Sequence, residues 1–373
     1  MKQLPLRIAL LLLLVVVSML YGMVSYSQGL PPYPQAERLY SRLFGPDVRL
    51  DPAADSAEDA PSALRYTDAT AIADARARLV SLLWGDSALP DRLPDAVYRG
   101  HEDPLLGAIA GLARIDRLVI EMDFDLSSTA YHFVPQRPNN RVVVYHAGHD
   151  QVLAGAAQLI EILLKQGYAV VGVEMPLEGG NRDAARARVA GGTLDLRSHA
   201  QFSLLRPDRG HPLRYFIEPV VVAINHVLHE YAYDGVAMIG LSGGGWTTTL
   251  AAALDPRIRL SIPVAGSYPR YLRHTQAEYG DWEQRAPDVY ALAGYRELYV
   301  LGAHGAGRRQ LQVLNVNDPC CFSGYGWKTY AGQVVRAIRA AGPGEFRVFA
   351  DDSHDRHAIS AAAMLRILQE LGK

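Results

Sequence analysis

From Asp116 onward, short β-branched runs take turns with helix-length segments, and this alternation constrains the fold more than any other feature. Arg141–His146 (RVVVYH) is almost continuously apolar, as expected of a strand covered on both faces. Helix-like Gln151–Lys165 and strand Tyr168–Met175 follow, then helix Phe216–Tyr231 and strand Gly235–Leu241. Next come helix Thr247–Leu254, strand Arg259–Ala265 and a mostly helical stretch over Ala277–Val300. Strand Gln310–Val316, helix Trp327–Ala340, strand Phe346–Ala350 and a helix from Ala358 complete the pattern. Such alternation predicts an α/β chain whose parallel sheet is joined by right-handed crossovers. Ahead of it, Leu118–Asp125 and Thr129–Pro135 read as an antiparallel hairpin around a Ser-Ser turn. Residues 176–214 interrupt the rhythm and predict a cap or lid at the carboxyl edge of the sheet.

The amino-terminal third is different. Lys2 and Arg7 precede a charge-free run, Ile8–Val24, so Met1–Ser27 reads as a signal peptide or signal anchor. At 1.5 Å per residue this run falls between a signal-peptide core and a full membrane span. Either outcome places the remainder outside the cytosol, periplasmic or extracellular, with membrane attachment if the segment is not cleaved. Residues 28–65 read as a Pro-rich and acidic linker, and 66–115 as helical decoration whose clear helix spans Asp68–Trp84. The alternating α/β domain is expected over 116–373.

Composition narrows the function classes. A hydrophobic content of 49% with 20% charged residues excludes a disordered chain. Lys and Arg number 37 against 39 Asp and Glu, so no basic surplus favours nucleic acid. Cys320 and Cys321 are the only cysteines and cannot form a four-thiolate metal site. They read either as small buried groups or as a vicinal disulfide beside the loop that contains Asp318.

Gly240-Leu241-Ser242-Gly243-Gly244 matches G-x-S-x-G, a weak signal alone. Its context strengthens it, because an apolar strand enters and a helix leaves. A strand-to-helix turn lifts the Ser242 hydroxyl above the sheet and sets the Gly243 amide at a helix amino terminus, facing a developing oxyanion.

Hairpin, strand, the His146-Ala147-Gly148-His149 turn, helix, strand and Gly-Leu-Ser-Gly-Gly elbow, in that order, resemble the α/β-hydrolase superfamily. Within it the chain looks most like the dienelactone-hydrolase and acetyl-xylan-esterase branch. The resemblance implies a mostly parallel central sheet with an antiparallel amino-terminal hairpin, helices on both faces and a cap. It also implies the order nucleophile, acid, base, which assigns Ser242, Asp318 in the turn after Gln310–Val316, and a histidine after the last strand. His357 and His354 both qualify; His357 is preferred because it is read as the start of the final helix. Asn317 could only orient, and Asp351 and Asp352 are alternative partners for the imidazole. Tyr145–His149 occupies the place of the family's His-Gly-x turn, with Ala147 where the family has Gly, and Gly148 is taken as the second oxyanion amide beside Gly243.

No cofactor or metal is implied. His146 and His149 form H-x-x-H without a third ligand nearby in sequence, and His226, His229 and Glu230 read as partly exposed helix residues. The reading is a serine hydrolase of a small-molecule or saccharide carboxylic ester, against a peptidase or amidase on the same fold or a non-catalytic tethered binding protein. Phe202, Leu204, Leu205, Tyr215 and Phe216 in the insertion could form a substrate wall or the cap's own core.

Overall fold

The computed structural model describes residues 17–22, 64–182, 186–273 and 275–373. The chain divides into two units, Met1–Pro52 and Ala53–Lys373. In the first, residues 17–22 are helical and exposed, inside the apolar run read as a targeting segment. The rest of that segment and nearly all of the 28–65 linker lie outside the described residues. Among the described residues no helix is long and apolar enough to cross a membrane.

The second unit is built on a nine-stranded sheet ordered β1-β2-β3-β5-β4-β8-β9-β10-β11. The strands are β1 (Ala96–Arg99), β2 (Leu112–Glu121), β3 (Ser127–Pro135), β4 (Val142–His146), β5 (Ala169–Val173), β8 (Val236–Leu241), β9 (Ile258–Val264), β10 (Arg309–Asn315) and β11 (Glu345–Asp351). From β5 to β11 every neighbouring pair is parallel, while β1, β2 and β3 add antiparallel pairings at one edge. A separate hairpin in the insertion pairs β6 (Arg186–Val189) with β7 (Gly192–Asp195).

The continuous apolar reading of β4 has a direct structural meaning. Val142 and Val144 face one core, and Val143 and Tyr145 face the other. Helices α1 (Ala69–Trp84), α3 (Glu218–Glu230) and α4 (Gly243–Leu254) pack on the first face; α2 (Ala157–Lys165) and α9 (Ala361–Leu371) cover the second. α1 is capped by Asp68, whose side chain accepts from Ala71 N, and buries Ile72, Leu79 and Leu83.

Three local readings need correction. The hairpin turn is Met122–Leu126, where Phe124 and Asp125 take positive φ, and Ser127 and Ser128 already belong to β3. The segment 66–115 is not purely helical, since it supplies β1 and the start of β2 to the sheet. The 277–300 stretch breaks into α5 (Gln276–Tyr279), a 3-10 turn at Trp282–Gln284, α6 (Pro287–Leu292) and α7 (Tyr295–Ala303). Gly280, at φ 77°, and Pro287 explain the breaks. After β10 comes α8 (Ala331–Ala341).

Candidate active site

Every parallel strand ends on the same edge of the sheet, and the predicted functional side chains follow these ends. Ser242 follows β8 directly and takes φ 58° and ψ −122°, a region an L-residue occupies only when its surroundings force it. The constraint is backbone on both sides: Ser242 N donates to Val264 O at 2.9 Å, and Trp246 N donates to Ser242 O at 3.0 Å. A side chain at Gly244 would run into His146 O, so only glycine lets the first turn of α4 sit this close to the end of β4. Thr247, Thr248 and Thr249 return their buried hydroxyls to the carbonyls of Gly243, Gly244 and Gly245, which satisfies them inside the helix.

Gly148 packs against this elbow. A Cβ on it would lie 2.9 Å from Ser242 Cβ and 3.1 Å from Gly243 N, so the two glycines proposed to bind an oxyanion are brought together. The Gly148 amide donates to Gln151 Oε1 at 3.1 Å, and Ala147 N is already used by Val173 O. Of the two amides, Gly148's is thus held by a side chain that can rotate away, whereas Ala147's is held in the backbone.

The acid and base are also joined. His357 Nδ1 donates to Asp318 Oδ2 at 2.7 Å, with the Asp318 side chain fully buried. Burial pushes the Asp318 carboxyl up, but the His357 hydrogen bond and charge, helped by the Cys320 amide and Asn315, outweigh it and hold it below the usual range. Asp318 Oδ1 accepts from Cys320 N at 2.8 Å and Cys321 N at 3.3 Å. Cys320 and Cys321 are joined by a vicinal disulfide. The orienting amide is that of Asn315, which donates to Asp318 Oδ2 at 3.2 Å and to Ala358 O at 3.0 Å. Asn317 points elsewhere, to Asp352 O at 3.4 Å.

His357 is not at a helix start. It lies in the loop before α9, which begins at Ala361 with Ser360 as its cap. With Nδ1 committed to a carboxylate, its Nε2 is the lone-pair nitrogen, and that atom is buried without a hydrogen-bond partner. The Ser242–His357 hydrogen bond is therefore not closed in this structure. His354 belongs to a different group: its Nδ1 accepts from Arg356 N at 3.2 Å and its Nε2 stands 3.5 Å from Asp351 Oδ2. Asp351 is itself occupied by Ser353 and Ser360, and Asp352 is exposed.

The insertion is anchored at two ends. Arg214 and Tyr215 reach Asp123 in the hairpin turn, and buried Asn181 accepts from Thr129 N at 2.8 Å. Phe202, Leu205, Tyr215 and Phe216 are buried in the main core, so they form the cap's interior; Leu204 is exposed. His226 is buried as well, contrary to its reading as a partly exposed helix residue.

Local spacing missed one cluster entirely. His149 Nε2 lies 2.9 Å from Glu283 Oε1 and 3.4 Å from Asp281 Oδ2; His199 Nδ1 lies 3.2 and 3.8 Å from the same two oxygens. Burial alone would raise the Glu283 carboxyl, but hydrogen bonds from both imidazoles bring it well below its ordinary value. Burial disfavours the charged His199 ring, and the Glu283 hydrogen bond and charge reverse this to raise it. His146 is no part of the cluster; its Nδ1 donates to Ala147 O at 2.7 Å.

No protein-family profile and no curated sequence matches the chain. Solved structures do. The acetyl xylan esterase from Paenibacillus sp. R4 aligns over 84% of this chain and 96% of its own, at 14% identity and a TM-score of 0.54. Acetyl xylan esterase 1 from Thermoanaerobacterium sp. JW/SL YS485 aligns over 82% and 95%, at 14% identity and a TM-score of 0.51. A CE15 glucuronoyl esterase from Teredinibacter turnerae covers 81% of this chain and 84% of its own, at 14% identity and a TM-score of 0.51. With its parallel sheet, the strand-to-helix elbow after β8 and alignment to these structures over more than four fifths of its length, the chain has the α/β-hydrolase fold.

Proposed function

We propose that the protein is a serine hydrolase of carboxylic esters, exported or anchored with its catalytic domain outside the cytosol. The observation that carries this reading is the Ser242 elbow, held at positive φ, on the same sheet edge as a partly buried His357 whose Nδ1 is held by buried Asp318 and whose Nε2 is uncommitted.

In the proposed mechanism the ester carbonyl enters between the Gly243 and Gly148 amides, taking the place of Gln151 at the latter. His357 swings its Nε2 onto the Ser242 hydroxyl while Asp318 keeps Nδ1 in place, a closure that catalytic pairs commonly complete only with substrate bound. Ser242 Oγ attacks the carbonyl carbon as its proton passes to Nε2. The tetrahedral oxyanion collapses, the C–O bond to the alcohol breaks, and the imidazolium returns the proton to the leaving oxygen. Water, deprotonated by the same nitrogen, attacks the acyl-enzyme and releases the acid. Asp318 stays ionised throughout and stabilises the imidazolium.

The names of the structural neighbours make acylated saccharides and glucuronoyl esters the first substrates to compare, beside p-nitrophenyl acetate and butyrate. Fluorophosphonate labelling tests the assignment. The wild type should be labelled at one serine, and Ser242→Ala should remove both label and turnover while its circular dichroism stays native. Labelling that survives this substitution overturns the proposal. Aminoacyl anilides hydrolysed faster than esters would move the reading to an amidase.

A further inference from the structure

The cluster beside the elbow draws ligand-type atoms from three separate parts of the chain. His149 follows the Gly148 turn, His199 opens a 3-10 helix of the insertion, and Asp281 and Glu283 sit at and inside the turn Trp282–Gln284. We propose that His149, His199, Asp281 and Glu283 form a four-ligand site for a divalent transition ion of the zinc class, which fastens the cap to the oxyanion turn. This lies beyond the ester-hydrolase reading, because four protein ligands fill a tetrahedral ion's coordination and leave no position for substrate or water.

Geometry is the first support. The four ligand atoms all lie within 4.8 Å of one another. A tetrahedral ion with bonds of about 2.0–2.1 Å needs ligand atoms roughly 3.3–3.4 Å apart. The four nitrogen-to-oxygen separations, 2.9, 3.2, 3.4 and 3.8 Å, straddle that value. The second support is an unsatisfied atom: Glu283 is completely buried, and its Oε2 has no hydrogen-bond partner. A carboxylate kept out of water with one oxygen unpaired is costly unless a cation compensates it.

The ring orientations supply the third. His199 Nε2 donates to Pro176 O at 2.8 Å, so the ring presents Nδ1 to the two carboxylates, and an ion binding there displaces the proton that Nδ1 gives Glu283 in the empty site. A backbone carbonyl that holds the distal nitrogen is the usual support of a metal-bound imidazole. His149 turns Nε2 to the cluster, and its ring lies against Gly243, where a Cβ would come 2.5 Å from Nδ1. Glu283 is fixed from behind, as Tyr290 donates to Glu283 O at 3.0 Å and itself accepts from Trp246 of α4 at 2.7 Å. Two carboxylates and two neutral imidazoles balance a dication, and mixed nitrogen and oxygen ligands suit zinc or cobalt better than calcium.

Full-length protein, stripped with a chelator and exchanged into metal-free buffer, is titrated with Zn²⁺ by calorimetry and with Co²⁺ by visible absorption. One equivalent should bind, Co²⁺ should give the intense d–d bands of a tetrahedral site, and Zn²⁺ should raise Tm by several degrees, reversed by chelator. Asp281 is largely exposed, so Asp281→Asn should fold normally and weaken binding at least tenfold. His199→Asn should remove the tetrahedral bands. Wild-type protein that binds no stoichiometric ion, or affinity that both substitutions leave within threefold, overturns the site.

Discussion

Two histidine–carboxylate pairs stand side by side at the ends of β10 and β11, and they are built for different work. In the first, Asp318 gives one oxygen to His357 and the other to the Cys320 and Cys321 amides, and the imidazole keeps a free nitrogen. In the second, Asp351 is taken up by Ser353 N at 3.0 Å, Ser353 Oγ at 2.6 Å and the Ser360 hydroxyl, while His354 spends Nδ1 on a backbone amide. Ser360 in turn caps α9 through Ala363 N at 2.9 Å. Proximity of His to Asp is thus no sign of chemistry. Both rings leave Nε2 without a hydrogen-bond partner; what distinguishes the pairs is the lone pair, which His357 keeps on Nε2 and His354 spends on the Arg356 amide.

The sharpest way to break this comparison is to neutralise each carboxylate in turn. Asp318→Asn leaves His357 without the acceptor that fixes its tautomer, so kcat should drop about 10³–10⁴-fold, about 4–5.5 kcal/mol of transition-state stabilisation. Asp351→Asn should leave kcat within about threefold but lower unfolding free energy by about 2 kcal/mol, as buried charge-assisted bonds to two hydroxyls weaken. Ester turnover and urea melts on both variants decide it. A catalytic collapse in Asp351→Asn with Asp318→Asn active would exchange their roles.

Histidines enclosed without a tightly held carboxylate sharpen the contrast. Burial pushes both His132 and His146 down to about 4, far below an exposed imidazole. The unfolded chain takes up these protons near pH 6.5 and the native protein does not, so stability is complete above that value and is lost as pH falls toward 4. Each ring contributes at most about 1.4 kcal/mol per pH unit inside this window. In ion-free protein His199 has the opposite sign: its folded value is raised, so its share is full below the unfolded value and is lost as pH rises through the folded one. The depressed carboxylates Asp318 and Asp351 add losses only at lower pH. Urea unfolding between pH 7 and 4.5 should show a positive slope that His132→Gln reduces by up to one histidine's share, with Gln still able to meet Tyr233. An unchanged slope would mean His132 titrates alike in both states.

How much of this was legible follows from range. The strands covered on both faces announce themselves, because Val142–Tyr145 must be apolar at every position to face two cores. The elbow is readable because glycines and serine are consecutive. β1 was not, since Ala96–Arg99 is only four residues with an exposed outer half and no apolar period. Gly280 and Pro287 mark the helix breaks, but the apolar residues around them keep a helical spacing that hides the interruption. Asn315 rather than Asn317 orients the acid because Asn315 closes β10 with its side chain turned inward, a distinction two residues of sequence do not contain. The His149–His199–Glu283 cluster was out of reach altogether, because its members are 50 and 84 residues apart and only the folded insertion joins them.

The smallest effect tests what the vicinal disulfide contributes to the first pair. A cross-link between adjacent residues removes little freedom from the unfolded chain; the loop-entropy relation gives only about 1 kcal/mol for a loop of two residues. Stability is therefore not what it mainly changes. It locks the Cys320–Cys321 peptide group, whose amide faces Asp318 Oδ1 beside that of Cys320, so its loss should loosen the acid and, through it, the His357 ring. The Cys320→Ser/Cys321→Ser double variant should lose about tenfold in kcat with KM nearly constant and Tm lowered by a few degrees at most. Mild reduction of wild-type protein should reproduce the loss and reoxidation should restore it. A double variant with wild-type kcat would show that the turn backbone holds Asp318 unaided, and the free nitrogen of His357 would then owe its placement to Asn315 and the loop before α9 alone.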